Sequence, residues 1–132
     1  MEQDAVDVAR QFAEAFAARD LERMVELTHP DLEFIALRSA FEGTYRGKEG
    51  VRRWTEELFT MAPDYWVTID ELRPVGDDGY VLLGRQGGTA RGQRVPFEAP
   101  LALVGSVRDG SLYRVEAYAT RGDALAAAGS SR

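Results

Sequence analysis

The sequence predicts an α+β fold in which a curved, mixed or antiparallel sheet wraps over three N-terminal helices. Apolar residues recur at helical spacing in the first part of the chain, whereas residues 65–118 hold most of the alternating, strand-like runs. Asp109-Gly110 separates two long alternating runs within residues 95–118 and supplies the positive-φ positions of a tight hairpin. Helices that precede a meander of strands are typical of this fold class.

The composition is that of one globular domain spanning residues 1–132, with 45% hydrophobic and 29% charged residues. There is no cysteine, which excludes disulfides and thiolate chemistry. The net charge of -6 argues against nucleic-acid binding, because it repels phosphate backbones. The acidic start is unlike a secretion signal, and no apolar run approaches the roughly 18 residues of a membrane helix. We therefore expect a cytoplasmic protein without membrane contact.

Capping residues mark the first two predicted helices. Asp4 can cap the first helix, whose apolar stripe includes Phe12 and Phe16. Asp20 can cap a shorter second helix, which should end before His29-Pro30 because a residue that precedes proline is pushed away from helical geometry. Both helices are amphipathic, so each is expected to cover the sheet with one face.

The remaining elements follow from periodicity and turn residues. A third helix is predicted at residues 48–61 with Trp54 on its apolar stripe, and a short alanine-rich helix is predicted to end at Gly129. Strands are predicted at residues 31–38, 65–72, 80–90 and on either side of Asp109-Gly110.

Alternation along the strands assigns side chains to two faces. On the last strand, the apolar face holds Tyr113, Val115 and Ala117, and we expect this face to look toward the helices. The same reasoning places Phe34 and Arg38 on the inner face of the first strand. A sheet that curves around a long helix leaves a cone-shaped cavity, which is a common site for small ligands.

Arg85 is the second arginine that we expect in this cavity. It lies on the predicted strand at residues 80–90 and shares with Val81 and Leu83 a face that we assign to the interior. A buried arginine is costly unless an anionic or carbonyl group pairs with it. A ligand could supply that group. Alternatively, Arg85 could pair with a glutamate of a helix or extend its stem to solvent.

Four phrases carry a resemblance to a known family. They are F-A-A-R-D-L-E-R-M-V-E-L-T-H-P-D-L-E-F, Y-R-G-K-E-G-V-R-R-W, V-R-D-G-S-L-Y-R-V-E-A-Y and A-L-A-A-A-G. In this order they resemble the SnoaL-like branch of the nuclear transport factor 2-like (NTF2-like, or ketosteroid isomerase-like) superfamily, over residues 6–129. The resemblance implies a cone-shaped α+β barrel, a pocket between helices and sheet, and a homodimer packed through the sheets.

The resemblance does not imply a single chemistry, because relatives include isomerases, cyclases, epoxide hydrolases, dehydratases and binding domains. Ketosteroid isomerases use a tyrosine and a carboxylate base, and those positions fall on Phe12 and Ala36 here. Epoxide hydrolases use an arginine between two acids, and the three positions fall on Arg85, Gly87 and Ala117. Of these catalytic groups, the sequence retains only the arginine.

Other conspicuous residues have ordinary structural explanations. His29 is the only histidine, so no metal site is predicted. The glycines at 84, 87 and 88 lie within a strand rather than before a helix, which indicates a bend and not a nucleotide loop. The basic residues at 46, 48, 52 and 53 are expected to form a solvated helix face. We therefore expect no cofactor.

The sequence thus predicts a domain that binds a small hydrophobic molecule with an anionic or carbonyl group, with no reaction specified. The alternatives are an isomerase, cyclase or hydrolase that uses Arg85 as an electrostatic stabiliser, and an interaction module whose own side chains fill the cavity. For Trp54 both core packing and ligand stacking remain open, and Tyr45 could border the cavity from a loop. The candidate ligand-binding residues are Phe12, Phe16, Phe34, Arg38, Tyr45, Trp54, Arg85 and Val115.

Overall fold

The computed structural model describes residues 4–36 and 44–130, and it has the predicted α+β architecture. The helices are α1 (Ala5–Ala17), α2 (Leu21–Glu26), α3 (Gly47–Met61) and α4 (Arg121–Ser130). The strands are β1 (Thr28–Ile35), β2 (Tyr45–Arg46), β3 (Trp66–Val75), β4 (Gly79–Gly88), β5 (Phe97–Arg108) and β6 (Ser111–Tyr118).

Capping explains where the first two helices begin. The Asp4 carboxylate accepts a hydrogen bond from the Asp7 amide at 2.8 Å, and the Asp20 carboxylate accepts one from the Arg23 amide at 3.1 Å. Each bond satisfies a backbone donor that has no partner within its own helix. The predicted caps are therefore confirmed.

The six strands form one open sheet in the order β2-β1-β6-β5-β4-β3. All neighbours are antiparallel except β1 and β6, which run parallel. The hairpin of β5 and β6 turns through Asp109 and Gly110, with φ angles of 55° and 78°. Two consecutive positive φ angles match the twist of the flanking strands, which confirms this predicted turn.

Helices cover both faces of the sheet. We call the face against α1 and α3 the inner face, because it carries the larger apolar core, including Leu32, Phe34 and Leu82. The opposite, outer face holds a smaller core in which Val81 and Leu83 pack against the alanines of α4. The inner core contains the candidate site.

The predicted strands need two corrections. The first strand begins at Thr28, before the proline, because the Leu27 carbonyl and Thr28 already engage Leu112 of β6. The first part of the predicted strand falls within β1, but residues 37 and 38 lie outside the described residues. The short strand β2, which pairs with β1 through Tyr45 and Arg46, was not predicted, since two residues carry no readable alternation.

Candidate functional site

A cavity of about 270 Å³ lies between the inner face and helices α1 and α3. Met61 and Ile69 line it and are 42% and 38% exposed, so it opens to solvent between the end of α3 and β3. No charged side chain lines it among the residues that the structure describes. Its walls include Ala9, Phe12, Phe16, Leu32, Phe34, Ala36, Trp54, Leu58, Tyr65, Val67, Tyr80, Leu82, Gln86, Leu101, Leu103, Leu112, Val115 and Ala117.

Aromatic rings form much of this wall. The Trp54 ring stacks against Phe16 with centroids 5.6 Å apart, and it packs at a tilt against Phe34 at 4.8 Å. Tyr65 contacts Phe16 edge-on at 5.8 Å. Rings with these contacts hold one another in place.

Tyr65 and Gln86 form the principal polar contact in the wall. The Tyr65 hydroxyl donates a short hydrogen bond to Gln86 Oε1, and Gln86 Nε2 donates to the Pro100 carbonyl at 2.8 Å. Burial raises the pKa of Tyr65 to about 12, so the hydroxyl stays neutral at physiological pH. The wall is thus uncharged even where it is polar.

Five of the eight candidate residues lie in the cavity wall. Phe12 and Phe16 come from α1, Phe34 from β1, Trp54 from α3 and Val115 from β6. Their helical and strand spacing on one face brings them together. Ligand contact by these five residues remains a prediction.

Arg85 does not lie in the cavity, so its predicted orientation is wrong. It is on the outer face, where Arg85 Nη2 lies 3.1 Å from Glu98 Oε1 and about half of each side chain is exposed. The hydrogen bond and charge of Glu98 raise the pKa of Arg85, and those of Arg85 lower the pKa of the Glu98 carboxyl. Because α4 buries Val81 and Leu83 on the outer face, both faces of β4 are apolar. Alternation alone therefore could not show which face of β4 meets the cavity.

The predicted facing of the last strand, β6, is also wrong in part. Val115 and Ala117 line the cavity as predicted, but Tyr113 lies outside it and Leu112 takes the inner position. The register between β5 and β6 shifts between Ser106 and Val107, so the phase of β6 changes at this bulge. Tyr113 instead packs edge-on against His29, with centroids 5.1 Å apart.

The last two candidate ligand-binding residues, Tyr45 and Arg38, are not among the described residues of the cavity wall. Tyr45 is only 1% exposed, and it packs between Phe34 and the Arg53 guanidinium without lining the cavity. Its hydroxyl donates to Glu57 Oε1 at 2.7 Å. It is therefore a support for the wall rather than a residue at its lip. Arg38 lies outside the described residues.

The basic residues near the start of α3 have structural partners. Lys48 Nζ donates to the carbonyls of Val25 and Thr28, at 2.8 and 2.7 Å, and so caps the end of α2. Arg52 pairs with Glu22 at 3.3 Å, and Arg46 pairs with Glu33 at 3.1 Å. These contacts agree with a structural role for the cluster rather than a phosphate site.

Among the wall residues that sequence reasoning missed, three carry polar groups, namely Tyr65, Tyr80 and Gln86. The last two share the inner face of β4 with Leu82, two and four residues away, so correct phasing of β4 would have found them. Among residues 4–36 and 44–130, no cluster of three potential metal ligands occurs. Within the same ranges no helix is long and apolar enough to cross a membrane.

Solved structures with the same fold come from several bacteria. An NTF2-like protein from Burkholderia thailandensis is 25% identical, with a TM-score of 0.79 over 96% of this chain and 98% of that one. A protein with a ketosteroid isomerase-like fold from Catenulispora acidiphila, solved with trimethylamine, is 22% identical, with a TM-score of 0.76 over 93% and 92%. No curated protein matches the sequence.

A third similar structure is IdmH from Streptomyces antibioticus, for which a polyketide cyclase activity has been proposed. It is 24% identical, with a TM-score of 0.76 over 96% of this chain and 99% of that one. The fold and its cavity thus define an NTF2-like, ketosteroid isomerase-like protein. Residues 9–115 match the model of the SnoaL-like domain, and the chain belongs to this family.

Proposed function

We propose that this protein binds a small, flat, largely apolar molecule in the cavity between α1, α3 and the inner face of the sheet. The observation that carries the proposal is the wall itself, which combines aromatic rings with no charged side chain among the described residues. Removal of apolar surface from water would supply most of the affinity, at about 25 cal/mol per Å². A ligand of one to three fused rings matches the volume of about 270 Å³.

The same wall favours binding over acid-base catalysis. Proton transfer needs a carboxylate, histidine or similar group within about 3 Å of the reacting atom. Neither a carboxylate nor a histidine lines the cavity among the described residues. Phe12, Ala36 and Ala117 all line it, at positions where catalytic relatives carry polar groups.

Binding can be tested with fluorene, a flat hydrocarbon of three fused rings. Trp54 lies in the wall, whereas Trp66 is outside it and 38% exposed, so a Trp66→Phe variant makes Trp54 the single tryptophan reporter. Fluorene should change the Trp54 emission in a saturable manner. A second substitution, Ala117→Phe, fills the cavity and should weaken binding by about tenfold or more.

The control for this test is Ala126→Phe, a change of the same size on α4, where Ala126 is exposed and lies outside the cavity wall. It should leave fluorene affinity within about twofold, since surface changes have small effects. Equal affinities of the Ala117 and Ala126 variants would contradict binding in this cavity.

A second candidate is cyclisation of an apolar chain held in a folded shape, which the fold shared with IdmH and the aromatic wall favour. Such an enzyme would act by restricting the substrate rather than by moving protons. Mass spectrometry of the bound molecule after incubation distinguishes the candidates. A binding protein returns its ligand unchanged, whereas a cyclase returns a ring-closed product.

We further propose a homodimer that packs through the part of the outer face that α4 leaves uncovered. Ala124 and Ala128 of α4 bury Val81 and Leu83, so a partner would have to meet the sheet beside them. Glu116 of β6 lies on that face and is partly exposed. Native mass spectrometry tests the dimer, and the Glu116→Arg variant should become monomeric.

A further inference from the structure

Tyr80 lines the cavity from the inner face of β4 and is only 2% exposed. It stands opposite Gly105 of β5, with which it pairs in the sheet. A methyl group at position 105 would lie 2.5 Å from the Tyr80 hydroxyl and 2.3 Å from the Arg114 carbonyl. The missing side chain at Gly105 therefore leaves the space that the Tyr80 ring occupies.

The Tyr80 hydroxyl has no hydrogen-bond partner within residues 4–36 and 44–130. The contrast with Tyr65 is sharp, because both phenols line one cavity and the Tyr65 hydroxyl is bound to Gln86. An unpaired polar group in an apolar site costs free energy that a phenylalanine in the same place would avoid. Such a group in a cavity is a candidate contact for a bound molecule.

We propose that the Tyr80 hydroxyl is the polar anchor of the cavity and donates a hydrogen bond to a neutral oxygen of a flat, apolar ligand. A ketone, quinone or similar carbonyl oxygen fits this role. The inference rests on the proposed binding function and adds the chemical class of the ligand.

Two observations select a neutral oxygen over an anion. No cationic side chain lines the cavity in the described part of the chain, and Arg85 is held on the outer face by Glu98. An unpaired carboxylate or phosphate would therefore be desolvated without compensation. Burial also raises the pKa of Tyr80 above its ordinary value, so the phenol is neutral and able to donate.

The test compares 9-fluorenone with fluorene, two molecules of nearly equal shape that differ by one carbonyl oxygen. The full-length protein should bind fluorenone about three- to tenfold more tightly than fluorene, as expected for one hydrogen bond. Tyr80→Phe should abolish this preference. The control Tyr113→Phe removes a hydroxyl outside the cavity and should keep it.

Stability gives a second readout that needs no ligand. Tyr80→Phe should leave the thermal midpoint unchanged or raise it, because the native hydroxyl has no partner to lose. Tyr65→Phe should lower the midpoint, because it leaves Gln86 Oε1 without its donor. A loss in Tyr80→Phe as large as that in Tyr65→Phe would show a structural role for the Tyr80 hydroxyl and overturn the proposal.

The outcomes separate this inference from the function on which it rests. Binding of both probes with equal affinity, or a preference that survives Tyr80→Phe, would overturn the role of Tyr80 and leave the apolar binding site standing. Failure of both probes to bind would overturn the binding function and the anchor together.

Discussion

Arg85 and Glu98 form a salt bridge across the pairing of β4 and β5, on the face of the sheet opposite to the cavity. Both side chains are about half exposed, so solvent screens their attraction. This pairing satisfies the arginine without any ligand. The alternative function in which Arg85 stabilises charge on a substrate therefore loses its geometric basis.

Arg85→Ala is expected to leave fluorene and fluorenone affinities within about twofold of the wild type, because surface changes outside a site have small effects. The loss of stability should be small, since exposed ion pairs contribute little. Titration of the two probes with the variant checks this expectation. A loss of about tenfold or more would return Arg85 to the site.

A second prediction concerns Gly84, where β4 passes close to β3. A methyl group at this position would lie 1.9 Å from the Thr68 carbonyl oxygen, next to the register shift between Ile69 and Glu71. Gly84→Ala should therefore lower the free energy of unfolding by about 2 kcal/mol or more. It should also weaken fluorene binding, because Ile69 borders the mouth of the cavity.

The control for Gly84 is Gly129 of α4, where an added methyl group meets nothing within 4 Å. Gly129→Ala should change the free energy of unfolding by no more than about 0.5 kcal/mol. Urea unfolding compares the two variants. Equal losses would show that crowding at Gly84 is relieved by strand movement.

The sequence alone predicts the secondary-structure elements but not the direction in which every strand faces. Alternation and helical spacing gave the elements, the hairpin at Asp109-Gly110 and the aromatic wall, because each depends on local pattern. The facing of β4 depends on a contact between distant segments, in which α4 buries Val81 and Leu83. A pattern that is apolar on both faces cannot show which face meets the larger core.

The cavity itself was predicted from the fold class, but its polar groups were not. Tyr80 and Gln86 became wall residues only when the facing of β4 was known, since a shift of one residue exchanges the faces of a strand. The bulge in the hairpin of β5 and β6 moved Tyr113 out of the predicted wall for the same reason.

A third prediction compares two buried threonines. In the described part of the chain, Thr55 Oγ1 is the one side-chain polar atom that has neither a hydrogen-bond partner nor solvent-accessible surface. By contrast, Thr28 Oγ1 donates to the Met24 carbonyl at 2.8 Å. Thr55→Val should raise the free energy of unfolding by about 1 kcal/mol, because it removes an unpaired hydroxyl while keeping the shape. Thr28→Val should lower it by a similar amount, about 1 kcal/mol. Changes of the same sign in urea unfolding would contradict the contrast.

The last prediction concerns alkaline pH and the buried phenol of Tyr65. Its pKa in the folded protein is about 12, against about 10 in the unfolded chain. Between these values the unfolded chain has lost the proton and the folded protein still holds it, so rising pH favours unfolding. The stability that Tyr65 contributes is complete below about pH 10 and is lost progressively toward pH 12, by about 2 kcal/mol.

Tyr65→Phe separates this proton effect from the hydrogen bond to Gln86. The variant should be less stable at neutral pH by about 1 kcal/mol, because the bond is lost. Its free energy of unfolding should then fall less steeply than that of the wild type between about pH 10 and pH 12, because one of the titrating phenols is gone. Urea unfolding across this range measures both curves, and parallel curves would show that Tyr65 ionises in the folded protein as readily as in the unfolded chain.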